Sequence, residues 1–172
     1  GQKAPSLASL RNAPADELVR PMGFDFINDG HALRADLDTT FETGQQQDVP
    51  LLLGSNADEG TPYPSVSDPA KFTADAIARY KDRAGEFLKL YPATTPAETE
   101  QSSLAYTRDA RFGWQIHRWA NLHTTTAQSP VYRYYFHRTP PFPANVRMRE
   151  RHPSERYGAF HSAEVIRSEE HT

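Results

Sequence analysis

The feature that most constrains this chain is a pair of strand-like runs held far apart by helical sequence. Val49-Pro50-Leu51-Leu52-Leu53 is continuous, apolar and closed by Gly54. It is too short for a core helix and lacks alternation, as expected of a strand buried on both faces of a parallel sheet. Pro50 falls at its first residue, where a missing N–H is tolerable. Val131-Tyr132-Arg133-Tyr134-Tyr135-Phe136 is rich in aromatic and β-branched residues and follows Pro130, which reads as a second strand. Between them the pattern is helical, so the two are expected to lie parallel, joined by a right-handed crossover. The fold class is α/β.

Local signals fill in the rest. Residues 5–20 carry Leu7, Leu10, Leu18 and Val19 around Pro14, one or two short helices. Phe24 to Asn28 alternates into Asp29-Gly30, a short strand and tight turn. Residues 55–67 read as loop. Asp68-Pro69 starts a helix as N-cap and first helical position, with Phe72, Ile77 and Tyr80 near its buried face. Phe87, Leu88, Leu90 and Tyr91 continue helically up to Pro92. Thr95-Pro96-Ala97-Glu98 is a capping box, Glu98 reaching back to the Thr95 N–H. The helix it opens is expected to run to about residue 125, with Phe112, Ile116, Trp119 and His123 on one face. Residues 137–157 form a loop rich in proline and arginine.

Composition excludes several function classes. The longest purely apolar run is five residues, Val49 to Leu53, so no membrane-spanning helix is expected. The opening Gly1-Gln2-Lys3-Ala4-Pro5 has no apolar core of a signal peptide; the first residue is not expected to be the native one, and the compartment stays open. A net charge of −3 indicates no basic face for nucleic acid. Zero cysteines remove thiol catalysis, disulfide scaffolds and Cys-based zinc sites. The mean hydropathy of −0.73 is polar for a self-sufficient domain, and two strands alone make a poor sheet. The chain therefore reads as part of something larger, residues 1–172 being one incomplete domain.

Two segments carry chemistry. Gly54-Ser55-Asn56-Ala57-Asp58-Glu59-Gly60 follows the first strand, and Gly158-Ala159-Phe160-His161-Ser162-Ala163-Glu164 lies on the loop after the second. In open parallel sheets, functional groups gather beyond the carboxyl ends of the strands. A carboxylate and a histidine placed there can form the orienting pair of a hydrolase. The acid holds the imidazole tautomer, and the imidazole acts as general base.

These segments resemble the latter part of a type-B carboxylesterase, of the cholinesterase-like α/β-hydrolases. The resemblance rests on the run from Asp48 to Thr61, containing Asn56-x-x-Glu59-Gly60, and on Tyr157 to Glu164, containing His161-x-x-Glu164. Leu10-Arg11 with Pro14 to Leu18, Asp29-Gly30, and Ser129 to Tyr132 with Tyr134 to Phe136 add weaker support. The resemblance implies a partial α/β-hydrolase fold, its C-terminal portion, built of mostly parallel strands with crossover helices. It implies Glu59 as the triad acid and His161 as the triad base. Glu164 matches a family carboxylate near the histidine, a candidate support for the pair. No G-x-S-x-G and no glycine-rich oxyanion segment occurs in the 172 residues. In the family both lie in the part that precedes, so the partners expected are that N-terminal part and a small-molecule carboxylic ester. After Glu164 the sequence turns polar, where the family stays apolar and aromatic.

By the resemblance the function is carboxylic ester hydrolysis through an acyl-enzyme, with no metal or cofactor. This chain alone is expected to be inactive. The alternatives are a non-catalytic esterase-like adhesion protein of the neuroligin kind, which loses triad residues, and an inactive fragment. Other features read blandly. His117 and His123 are not spaced i, i+4 and no H-E-x-x-H occurs, against a zinc protease. Arg147, Arg149, Arg151 and Arg156 are interrupted by Glu150 and Glu155, a solvated loop rather than a phosphate site. Trp114 and Trp119 read as core or interface rather than a sugar platform. Ser162 lacks an elbow and an oxyanion hole and is rejected as nucleophile.

Overall fold

The computed structural model of the chain describes residues 6–18, 30, 31, 33, 35–141 and 156–165. The expected strand at residues 24–28 and the arginines at 147, 149 and 151 lie outside them. The chain divides into two compact units, residues 1–37 and 38–172. In the first, Ser6 caps helix α1 (Leu7–Asn12) by accepting the Ser9 N–H. A break at Ala13-Pro14 separates it from α2 (Ala15–Leu18).

The second unit holds the sheet. After α3 (Leu37–Glu42) comes strand β1 (Leu51–Asn56), and after the helices comes β2 (Val131–Phe136). The two pair in parallel, with Leu51 opposite Val131 and Asn56 opposite Phe136. Strand β1 is shifted toward the C-terminus of the expected span. Val49 and Pro50 stay outside it, while Ser55 and Asn56, expected in the loop, complete the ladder. Asp48 sets this entry. Its carboxylate accepts the N–H groups of Gln128 and Ser129 and ties the turn before β2 to the start of β1. Neither strand is buried on both faces. Leu52 is 69% exposed and its partner Tyr132 58% exposed, because no further layer among the described residues covers the face they share; Tyr135, on the other face, is also 58% exposed.

The helices between the strands follow their local signals with three differences. Asp68 caps α4 (Pro69–Tyr80) by accepting the Ala70 and Lys71 N–H groups. The buried stripe of α4 is Phe72 and Ala76, leading to a half-buried Tyr80. Ile77 lies one residue out of that i, i+4 phase and is exposed. A 3₁₀ turn, Lys81–Arg83, leads to α5 (Ala84–Leu90). Tyr80 stacks on Phe87 with centroids 4.6 Å apart, and Tyr106 meets Phe87 edge-on at 5.2 Å, an aromatic core linking α4, α5 and α6 (Pro96–Arg108). Thr95 accepts the Glu98 N–H as a cap should, but the Glu98 carboxylate binds Thr94, through its N–H and hydroxyl, rather than the Thr95 N–H.

The third difference bears on the site. The expected single helix from Pro96 to about residue 125 is broken by a π-helical turn, Asp109–Gly113, between α6 and α7 (Trp114–Thr126). Ala120 and His123 are the buried residues of α7, with Ile116 half-buried. Trp114 and Trp119 are exposed rather than in the core, Trp119 meeting Phe41 edge-on.

Candidate active site

The site forms where the parallel pair runs out. Beyond Asn56, the Ala57 N–H still reaches the Phe136 carbonyl at 2.8 Å, so the loop leaves β1 along the ladder. Asp58 then changes neighbour and forms a parallel bridge with Phe160. Its N–H donates to the Ala159 carbonyl at 3.0 Å and its carboxylate accepts the Ala159 N–H at 2.8 Å. The Thr61 hydroxyl lies 2.8 Å from the carbonyls of both Asp58 and Tyr157, and its one proton serves either. The two segments singled out in the sequence are thus stitched side by side. Tyr157, Phe160 and Ala163 are buried beneath them, with Phe136 packed against the cluster.

This stitching brings Glu59 and His161, 102 residues apart, into contact: Nδ1 of His161 lies 2.7 Å from Oε2 of Glu59. The pair is asymmetric in burial. The Glu59 side chain is 6% exposed and that of His161 is 47% exposed. A carboxylate accepts only, so the imidazole presents Nδ1–H to it and leaves the Nε2 lone pair free to take a proton. The second oxygen of Glu59, Oε1, accepts the Asn56 N–H at 2.9 Å.

Asn56 entered the sequence reading only as the first residue of the Asn56-x-x-Glu59-Gly60 motif, with no role of its own. It is fully buried at the end of β1. Its carboxamide donates one hydrogen to the Phe160 carbonyl at 2.8 Å and the other to Glu164 Oε2. Its backbone N–H holds Glu59. Glu164 therefore does not touch the imidazole in this structure; it is joined to the pair through Asn56. The signal was present as Asn-x-x-Glu, the spacing at which a side chain can close back on a backbone N–H three residues earlier. Burial, then the negative charges of Glu164 and Glu59, push the Tyr134 phenol up from its ordinary value.

Phe112, from the π-helical turn, covers one face of His161, with ring centroids 4.8 Å apart and a 35° tilt. Ser162, rejected as a nucleophile, is exposed and holds a left-handed φ of 71° in the turn after His161. Among the described residues, no group of three or more His, Asp or Glu side chains is arranged to hold a metal ion, and no helix is long and apolar enough to cross a membrane.

No protein-family profile matches the chain. It is similar to a fumonisin B1 esterase of Sphingopyxis macrogoltabida, with 28% identity over 148 residues, covering 76% of this chain and 27% of that enzyme. The chain thus spans about a quarter of the length of the relative it matches, and that relative is an esterase.

Proposed function

We propose that this chain carries the acid and the general base of a carboxylic ester hydrolase, as the latter part of a type-B carboxylesterase-like α/β-hydrolase domain. The observation that carries the reading is the 2.7 Å contact between buried Glu59 and exposed His161 at the carboxyl end of the parallel strands. The esterase relative supports the same reaction class. The 172 residues contain no G-x-S-x-G and match 27% of that relative, so this reading assigns the serine and the oxyanion hole to a segment outside the 172 residues.

In this mechanism the serine hydroxyl attacks the ester carbonyl while His161 Nε2 takes its proton. Glu59 keeps Nδ1 protonated and stabilises the imidazolium. Collapse of the tetrahedral intermediate breaks the carbon–oxygen bond to the alcohol, which leaves with the proton from Nε2. Water then attacks the acyl-enzyme by the same proton route and releases the acid. The retained pair favours this enzyme over an adhesion protein of the same family, in which it has no task. The test is hydrolysis of p-nitrophenyl acetate by the complete protein, with His161→Ala alongside. Activity in the parent and its loss in the variant is expected, as is no turnover by the 172-residue chain above an imidazole control. A fully active His161→Ala variant, or burst release by the chain alone, overturns the reading.

A further inference from the structure

Resting on the esterase reading, we propose that Phe112 is a positioning residue for the general base: the π-helical turn Asp109–Gly113 carries its ring against His161 and fixes the plane in which Nε2 meets the nucleophile. One hydrogen bond at Nδ1 does not fix that plane. The imidazole can still pivot about the Nδ1–Oε2 line, because the second side-chain torsion of histidine is broad. With the His161 side chain 47% exposed, packing on one face decides where Nε2 points. The Phe112 ring supplies that face at 4.8 Å and 35°, an offset-stacking distance.

Phe112 is itself braced. Tyr63 packs on it at 5.9 Å, and the neighbouring Arg111 holds its guanidinium 4.8 Å from the centre of the Tyr63 ring. Two successive residues of the turn therefore grip Tyr63 from the loop that carries Glu59, whose Tyr63 N–H is tied back to the Gly60 carbonyl at 3.0 Å. The acid loop and the base ring are held by the same turn. The extra residue of a π turn shifts the helical phase between α6 and α7. Such turns are rare and are frequent at functional sites.

The experiment uses the complete protein with histidine-ring labelling. It follows the His161 ring protons by NMR, together with kcat and KM on a short-chain p-nitrophenyl ester, for wild type, Phe112→Leu and Phe112→Tyr. In the wild type, the ring current of Phe112 shifts the His161 signals upfield, and cross-relaxation links the two rings. In Phe112→Leu the signals move downfield and kcat falls by up to about 10²-fold while KM holds, the pattern of a misplaced base. Phe112→Tyr, which keeps the ring, restores both. A wild-type kcat in Phe112→Leu overturns the proposal, and so does the absence of ring-to-ring cross-relaxation in the wild type, a readout that requires no variant to fold. His161→Ala and Glu59→Gln run in parallel. If they too leave the rate unchanged, the esterase reading fails and takes the proposal with it. If they abolish turnover and Phe112→Leu does not, only the positioning role falls.

Discussion

Replacing Glu59 by glutamine sets two donors against a side chain with one acceptor. In the native site Oε1 accepts the Asn56 N–H at 2.9 Å and Oε2 accepts from His161 Nδ1 at 2.7 Å. Asn56 is fully buried at the end of β1, and its backbone N–H cannot turn aside. The glutamine oxygen therefore goes to Asn56 and the NH₂ group faces Nδ1. An NH₂ partner requires Nδ1 to accept, which puts the imidazole proton on Nε2, the atom that must be empty to act as base. The opposite rotamer restores Nδ1–H but leaves the buried Asn56 N–H against an NH₂ group, a loss of about 1–3 kcal/mol. Whichever way the amide turns, the charge that stabilises imidazolium is gone. Together these correspond to a fall in kcat of up to about 10⁴-fold, or roughly 5.4 kcal/mol in the barrier. The assay is kcat and kcat/KM of the complete protein on a short-chain ester, with a thermal melt to show that the fold survives. A folded Glu59→Gln variant within about tenfold of wild type would refute the assignment of Glu59 as orienting acid, because such an amide removes both tautomer control and charge.

Asp58→Asn is the matched comparison. Its side chain accepts the Ala159 N–H at 2.8 Å and does not reach the imidazole, and asparagine keeps an acceptor, so kcat/KM should fall less than about tenfold; a loss as large as that of Glu59→Gln would move the acid to Asp58. Gly158→Ala should loosen the site through the backbone. Gly158 has φ of 59°, which costs an L-residue about 1–2 kcal/mol, and its Cβ would overlap the Asp58 carboxylate, so a lower melting temperature with reduced kcat is expected and an unchanged melt would be the contrary result. Asp48 gives a pH test. Hydrogen bonds from Ser129, backbone first, hold its carboxyl below its ordinary value of 3.8. A depressed carboxyl contributes stability that is complete above that ordinary value and is lost as pH falls through the folded-state value. Asp48→Asn should lower the melting temperature at neutral pH, by a deficit that shrinks progressively as pH falls below 3.8; a deficit that does not change with pH would exclude the charge as its cause.

What could be read from the sequence depended on the range over which each cause acts. The caps Asp68 and Thr95 act within four residues, and they hold where their residue types place them. The parallel pairing of β1 and β2 followed from the helical span between them, since no short turn can join them. Exposure of Leu52, Tyr132 and Tyr135 did not follow, because burial is a property of what covers a face rather than of the residues on it. The π turn left no mark in Asp109-Ala110-Arg111-Phe112-Gly113, whose Phe112 meets partners far off in sequence, Tyr63 and His161. Glu59 and His161 were suggested as a pair by the places of their segments beyond the carboxyl ends of the two strands and given triad roles by resemblance; no local signal connects residues 102 apart.

That connection has a physical agent, and it is neither member of the pair. Asparagine at position 56 offers three hydrogens in one place, its backbone N–H and the two of its carboxamide, and each goes to a different part of the site: Glu59, the Phe160 carbonyl and Glu164. Aspartate would offer one and would add a third carboxylate beside two others. Leucine would leave the Phe160 carbonyl and the Glu164 carboxylate without this donor. The side chain sits on the last residue of β1, opposite Phe136, so the register of the sheet sets where the acid and the base segment are held. The arrangement tolerates a cost, since Asn56 Oδ1 is buried without a hydrogen-bond partner among the described residues. An unmet acceptor is costly in a packed interior. Its persistence beside three satisfied donors is what a residue kept for its donors would produce.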